Sequence, residues 1–564
     1  MSWTKRITPD RAVLLGAVVA ALAYFKDLHY DFILDDVPLI LMNEGILSLR
    51  NWKTAFVSDI FSETHSIASL PKAIHYRPVY KLWQMLNERL FGSILPWWHL
   101  TSMLLHVVVI FLVYQLGVKL LKERWTAALA SLLFAVHPIH AESVAYVTAS
   151  TDLLVAAFTL VSVLAYLRFR QDSASPVYFA VSIFTAVLAM LSKESAVILP
   201  WLLVAYEAVR ETSPGTERSW KRFLWTLPFF AVVAFYVAVR TLLFGLNSGP
   251  GPGGNRLAAF LDIPLVLVVY VRNLFWPARL SFYYPGEWGS QWTVLRGIAA
   301  ALVIVAVGYL WNHYRERNGV RLQLLWAGIL FAPALLSVYA FVREDWVHDR
   351  HMYLVSVPVC LVVAAILTDP KWPAKASTVA SCAVLAMLLL DLPVQVSRFS
   401  DNATIYESAA KVAPRSLLLH SNYGNALWSY GRTEEASREF RIAAELAPQS
   451  PTIHEWYGGT LADLDHDSEA MAEFEKALDL SANDVPLRAF TFSRMAQLEL
   501  KRSELPEAAA HLREAVKLTP ENLNYHEMFS EVLSRAGRTT EAQEELRVEA
   551  SLRQAARAPR ASKD

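Results

Sequence analysis

"MSWTKRITPDRAVLLGAVVAALAYF" (Met1–Phe25) sets Lys5, Arg6 and Arg11 ahead of an apolar run that ends before Lys26. Basic residues followed by an apolar stretch suit a secretory leader. No small-residue cleavage site precedes Lys26, however, and the run reads as an uncleaved membrane anchor. Composition extends that reading to most of the chain. The 564 residues are 54% hydrophobic, 12% aromatic and 18% charged, too apolar for one soluble globule. Basic and acidic side chains number 52 each, so no bulk field invites a nucleic acid, which is excluded as an expected partner. Cys360 and Cys382 both lie in apolar runs and offer neither a disulfide framework nor a Cys zinc site.

Apolar runs, each near the ~20 residues that cross a bilayer core, follow one another up to Val396. Lys and Arg concentrate in "KLLKER" (119–124), "LRFRQ" (167–171), "RETSPGTERSWKR" (210–222), "HYRERNGVR" (313–321) and "DPKWPAK" (369–375). Positive loops stay inside, so these connections and the N-terminus are expected on the cytoplasmic side. Between Arg222 and His313 three apolar runs occur where two are allowed. The run 257–276 contains Asp262, Pro264, Arg272 and Asn273, which makes it the candidate for a re-entrant or interfacial segment. Eleven crossings remain, and the tail falls outside.

Beyond Arg398 the composition changes to Ala, Glu, Arg and Leu with helical periodicity. Gly424, Gly458, Ala496 and Ser530 are each followed twelve positions later by alanine, at 436, 470, 508 and 542, so the alanines are spaced 34, 38 and 34 apart. This is the tetratricopeptide pattern, in which small residues let the two helices of a unit approach closely. Glu549, where earlier units have a small residue, reads as a solvated cap. The domains expected are a polytopic membrane domain over 1–397, a linker over 398–416, about four repeats over 417–553 and a disordered tail over 554–564. The fold class is all-α, and the repeats are expected to dock a protein.

Unusual chemistry gathers in the outer connections: "LDDVP" (34–38), "HYRPVYKLW" (75–83), "HPIHAES" (137–143), "STD" (150–152), "SKES" (192–195) and "HDRHMYLVS" (348–356). Ionisable groups at membrane ends are costly against lipid, so their convergence on one side implies a polar cavity. Guanidinium and ammonium groups there suit a phosphate leaving group, and a carboxylate suits proton removal from an attacking hydroxyl.

"YDFILDDVPLILMN", "HYRPVYKLWQMLNERLFG" with "WWHLTSMLLH", "HPIHAESVAYVTASTDLLVAAF", "LSKES" and "HDRHMYLVSVP", in that order before a repeat tail, resemble the transmembrane and TPR-containing O-mannosyltransferases. The resemblance implies a GT-C glycosyltransferase fold, a polyprenyl-phosphate-linked sugar donor, Ser or Thr acceptors, and repeats on the active-site side. It implies Asp35 as general base, since the first of the acidic pair matches the family's first-loop acid, with Asp36 positioning substrate. It also places Arg77, His75, Asp152, Lys193, Glu194, Arg350 and Tyr353 at the donor or substrate. One departure is that Val355 stands where the family's motif has proline before Ser356.

Each of these residues also has a plain structural reading. The acids can cap a span, Arg77 can snorkel to headgroups, Arg350 can pair with Asp349 or Glu344, and Lys193 and Glu194 can neutralise each other. His137, His140 and Glu142 lack a metal-site helix because Pro138 breaks it, which leaves structural or substrate-contacting roles; no metal ligands are assigned. His99 and His106 read as satisfied bundle histidines. No cofactor is expected beyond the lipid-linked donor, with a divalent cation left open. The expected activity is transfer of a sugar, mannose by the resemblance, to protein hydroxyls at the outer face, with inversion because no second carboxylate is placed as nucleophile. A lipid or glycan transferase and a non-enzymatic TPR scaffold stand as the alternatives.

Overall fold

The computed structural model describes residues 8–61, 75–171, 175–210, 220–245, 256–284, 293–339 and 347–557. Among them all regular structure is helical. The chain divides into two compact units, Met1–Ala409 and Ala410–Asp564. Expectations for Glu344 and for the tail beyond 557 fall outside the described residues.

The first unit contains α1 (Pro9–Ala23), α2 (Pro78–Phe91), α3 (Leu95–Leu121), α4 (Arg124–Ala135), α5 (Ala141–Ala145), α6 (Ser150–Phe169), α7 (Pro176–Ser192) and α8 (Leu199–Val209). It continues with α9 (Leu227–Phe244), α10 (Arg256–Phe275), α11 (Thr293–His313), α12 (Asn318–Leu336), α13 (Met352–Leu367) and α14 (Ala374–Ser397); the division between units falls within α15 (Asn402–Val412). Seven helical stretches are long and apolar enough to cross a membrane, or eight if α4 and the segment Pro138–Ala145 count as one bent span. α7 and Gly297–His313 are shorter apolar helices. By length and composition the helices among the described residues do not confirm eleven crossings, and the unit is that of an integral membrane protein.

Helix α6 is central, buried along nearly its whole length. It lies close to α7 because small side chains meet: Ser162 Oγ donates to the carbonyl of Ser182 at 2.8 Å, and Ser182 Oγ returns the bond at 2.7 Å. Gly117 of α3 meets Ala127 of α4 so closely that an added Cβ would sit 2.8 Å from the Ala127 Cβ. Pro138 stops α4, and the chain bends by 51° into Pro138–Ala145. Broken helices at membrane depth are tolerated where they line a protein interior, and this break carries His137, His140 and Glu142 inward.

The segment 257–276, the candidate for a re-entrant or interfacial stretch, forms α10, which stays helical through Pro264. At 20 residues, ~30 Å, it is long enough to cross. Its C-terminal end carries Tyr270 and Asn273 to residues 348–351, at the polar end of the unit. The preceding α9 also ends at that side, with the Phe244 ring 5.7 Å from Tyr76. A helix that follows one ending there and itself ends there adds no net change of side.

In the second unit α16 (Leu417–Ser429), α17 (Thr433–Leu446), α18 (Pro451–Asp463), α19 (Asp467–Leu480), α20 (Val485–Lys501), α21 (Leu505–Leu518), α22 (Leu523–Arg535) and α23 (Thr539–Arg557) form four helix pairs. The periodic Ala436, Ala470, Ala508 and Ala542 are all buried. A Cβ on Gly424 or Gly458 would come within 2.8 Å of the Phe440 or Phe474 ring, which is why those positions are bare. The four extra residues of the third unit become one additional turn: α20 has 17 residues where α16, α18 and α22 have 13.

A second repeating device was not read from the sequence. His420, His454 and His526 each place Nδ1 against a glutamate on the next helix (Glu439, Glu473, Glu545) at 2.5–2.6 Å. Each also places Nε2 on the carbonyl of a proline in the entering loop (Pro414, Pro448, Pro520). In the third unit Phe492 and His511 take these places and stack, with ring centroids 5.7 Å apart. Glu549 is not the solvated cap expected. It is buried and paired with Arg553 at 2.6 Å, while Leu546 supplies the exposed surface of the last helix.

Candidate active site

Asp35 and Asp36 part company in the structure. Asp35 is exposed, whereas Asp36 is fully buried and its carboxylate accepts three hydrogen bonds: from Thr148 Oγ1 (2.6 Å), Thr148 N (2.7 Å) and Ile33 N (3.2 Å). Burial pushes the Asp36 carboxyl up to about 7, with the Thr148 and Ile33 donors working the other way. Asp36 thus holds the loop. The main chain before Asp35 is in the left-handed region, with Leu34 at φ 49°, a conformation that a branched side chain adopts only when its surroundings impose it. Those surroundings are visible: Leu34 N donates to Asn402 Oδ1 (2.9 Å), and Asp35 N donates to Tyr146 Oη (3.2 Å).

Around this loop stand three cations expected at the phosphate, each already facing a carboxylate. Arg77, at the start of α2, clasps Glu194 through Nε (2.9 Å) and Nη2 (2.6 Å), with His75 Nδ1 3.7 Å from the same carboxylate. Lys193, after α7, donates to both oxygens of Asp152 at the start of α6, at 2.6 and 2.7 Å. Arg350 donates through Nη1 (2.8 Å) and its backbone N–H (3.0 Å) to Glu142 of the broken segment. These pairs adjoin one another: the positive charges of Arg77 and Arg350 both reach Lys193. Burial first, then those neighbours, lowers the Lys193 ammonium below its usual range against the pull of Asp152. Burial works against the Glu194 carboxylate, but Arg77 and His75 hold it well below the usual range. Among the three cations Arg350 is the most open, at 23% side-chain exposure.

The rest of the expected set lies behind this front. Tyr353 is fully buried, and its hydroxyl meets His106 Nδ1 at 2.7 Å. His140 stacks into the same cluster with Phe134, and its Nε2 meets Ser356 Oγ at 2.8 Å. His137 Nε2 meets the carbonyl of Leu274 at 2.9 Å. These three side chains pack and bond around the broken segment, the structural role open to His137 and His140 in the sequence reading. Glu142 likewise serves Arg350. His99 places Nε2 on the Tyr30 carbonyl and stands with Nδ1 3.3 Å from Asp27, an ion-pair distance without a hydrogen bond. Among the described residues no three His, Cys, Asp or Glu side chains converge as a metal site would require.

Asp349, next to Arg350 in sequence, is buried. It accepts from Asn273 Nδ2 (2.7 Å) and Tyr284 Oη (2.9 Å), which ties the end of α10 to the motif that carries Arg350. Sequence reasoning missed the residues that fix the front: Tyr146, Thr148, Asn273, Tyr284 and Asn402. Tyr146 and Thr148 sit inside the "HPIHAESVAYVTASTD" motif and Asn273 was visible as a polar break in an apolar run. Asn402, beyond the last apolar run, carried no signal.

A family profile described as "Dolichyl-phosphate-mannose-protein mannosyltransferase" matches residues 52–242, the stretch that contributes Arg77, Glu142, Asp152, Lys193 and Glu194. A Caenorhabditis elegans protein O-mannosyl-transferase is 24% identical over 449 residues, which cover 76% of this chain and 62% of that one. The Homo sapiens protein O-mannosyl-transferase TMTC3 is 32% identical over 198 residues, 35% of this chain and 21% of that one. The chain therefore spans less than two thirds of the length of these relatives. Among solved structures a MamA protein aligns at 14% identity and a TM-score of 0.26, covering 28% of this chain and 85% of its own. Over these stretches, the chain is similar to protein O-mannosyl-transferases.

Proposed function

We propose that this chain transfers mannose from a polyprenyl-phosphate donor to Ser or Thr hydroxyls of proteins at the outer face of the membrane. The observation that carries the reading is the division of labour in the acidic pair: a buried Asp36 fixes the loop, and an exposed Asp35 acts on Tyr146 together with Arg350 and on Tyr80 together with Arg77, two cations whose charges in turn reach Lys193. Asp35 takes the proton of the acceptor hydroxyl as its oxygen attacks the anomeric carbon. The bond from that carbon to the phosphate oxygen breaks, and the polyprenyl phosphate leaves with the electron pair onto Arg350, Arg77 and Lys193. A single displacement inverts the anomeric centre. A divalent cation could share the phosphate charge, held on the donor itself. The relatives' printed names support a mannosyl donor and a protein acceptor.

The N-terminus is assigned to the cytoplasm and the polar end to the periplasmic, extracellular or luminal side. The basic loops at the opposite end support this orientation. The repeats would select the acceptor protein on the same side. Purified full-length chain, incubated with labelled polyprenyl-phosphate mannose and candidate acceptors, tests the whole reading. Label should appear on protein and vanish in Asp35→Asn, a loss of about 10²–10⁴ for a missing general base. Label found only in lipid points to the lipid-transferase alternative and overturns the protein-acceptor reading.

A further inference from the structure

A second cavity, of about 770 Å³, opens at the other end of the membrane unit, where α3 ends and where α4 and α12 begin. Its walls carry Lys119, Lys122, Arg210 and Arg317 against two acids, Glu123 and Glu316. Four cations thus face two acids in the wall. Lys119 Nζ (3.0 Å) and Arg168 Nη1 (2.9 Å) both donate to one neutral oxygen, Gln171 Oε1. Arg317 stands 3.8 Å from Asp369, and Arg210 stands 3.8 Å from a Glu207 carboxylate that already accepts from Tyr166 and Arg170. Glu316 lies 3.8 Å from Arg315, outside the cavity wall.

The backbone adds to the positive field. α4 and α12 both start in this wall, and neither Glu123 nor Arg317, at their N-cap positions, supplies a side-chain cap. Gly319 is what lets α12 start here: a Cβ at that position would lie 2.1 Å from the carbonyl oxygen of Leu120. That close approach sets Arg317 beside Lys119 and Lys122. The remaining wall is apolar, with Leu121, Trp125, Val209 and Leu322. Trp125 is exposed where the helix meets the cavity mouth, the position of an interfacial anchor.

A cationic floor with apolar walls at a membrane interface suits one kind of ligand, a phosphate group borne on hydrocarbon. We propose that this cavity binds the phosphate headgroup of an anionic lipid, at a site separate from the candidate active site. The phosphate lies on the excess cations and helix starts, and the acyl chains leave along Leu121 and Trp125.

The test uses the full-length chain in phosphatidylcholine nanodiscs with and without phosphatidic acid, and native mass spectrometry to count retained lipid. Phosphatidic acid should be retained over phosphatidylcholine. The Lys119→Gln/Arg317→Gln double variant should weaken that retention by about tenfold or more, roughly 1.4 kcal/mol, while Lys375→Gln, outside the wall, leaves it unchanged. Equal retention of the two lipids, or a folded double variant that retains phosphatidic acid as the parent does, overturns the proposal. Inorganic phosphate alone is the second arm. Displacement of phosphatidic acid by millimolar phosphate would assign the site to a free anion and overturn the lipid assignment. If the double variant does not fold, Lys122→Gln, on an exposed side chain, replaces it, with a loss of about threefold or more expected and none overturning the proposal.

Discussion

Thr148→Val removes the hydroxyl that donates the shortest of the three bonds to Asp36 while keeping the shape of the side chain. A hydrogen bond to a charged group contributes about 1.5–3 kcal/mol. The left-handed Leu34 costs the same loop about 1–2 kcal/mol, so losing this bond brings the loop near balance between its observed conformation and a relaxed one. At about 1.4 kcal/mol per factor of ten, the fraction of chains presenting Asp35 correctly falls by about tenfold or more. Transfer from labelled polyprenyl-phosphate mannose should show this as a lower kcat with little change in donor KM. Thr148→Ser, which keeps the donor, should stay within about twofold of the parent. A Thr148→Val enzyme at full rate, alongside an inactive Asp36→Asn, would refute the reasoning, because Asp36 would then have to act on substrate directly.

Glu142→Gln keeps a hydrogen-bond acceptor for Arg350 but removes its counter-charge; donor KM should fall or hold while kcat drops, whereas Arg350→Lys, which loses the planar guanidinium, should raise donor KM about tenfold or more. Gly458→Ala drives a methyl into the Phe474 ring and should destabilise the repeat unit by about 1–3 kcal/mol, read as a lower denaturation midpoint in limited proteolysis of the tail. The Glu439 hydrogen bond raises the His420 pKa, so its contribution to stability is fully present below the unfolded value of 6.5 and is lost as pH rises through the raised folded value. Melting the chain across that window, with His420→Gln as reference, should show a pH-dependent gap that closes on the alkaline side; a constant gap would rule the linkage out.

The division into membrane and repeat parts could be read from the chain because both signals are local: runs of about one span's length, and alanines at a fixed spacing. The same locality made Pro138 legible as the break that turns the histidines inward. The ion pairs were not legible. Arg350 and Glu142 are 208 residues apart, and only the packing of α4, α6 and α13 brings them together. Tyr353 shows the converse: a motif position implied it at the donor, yet its ring completes the cluster under the broken segment. Glu549 misled because Arg553, one turn on, covers its charge.

The His, Glu and Pro clasp recurs in the first, second and fourth units and is missing from the third, where a ring stack and a longer helix stand in. The third unit is fastened differently: Arg488 donates to the Leu478 carbonyl at 2.8 Å where the chain enters it, and His511 meets Glu499 at 2.8 Å between its two helices. The array thus joins its units by two kinds of fastening, and loss of any one histidine of the clasp leaves the third unit's own ties in place.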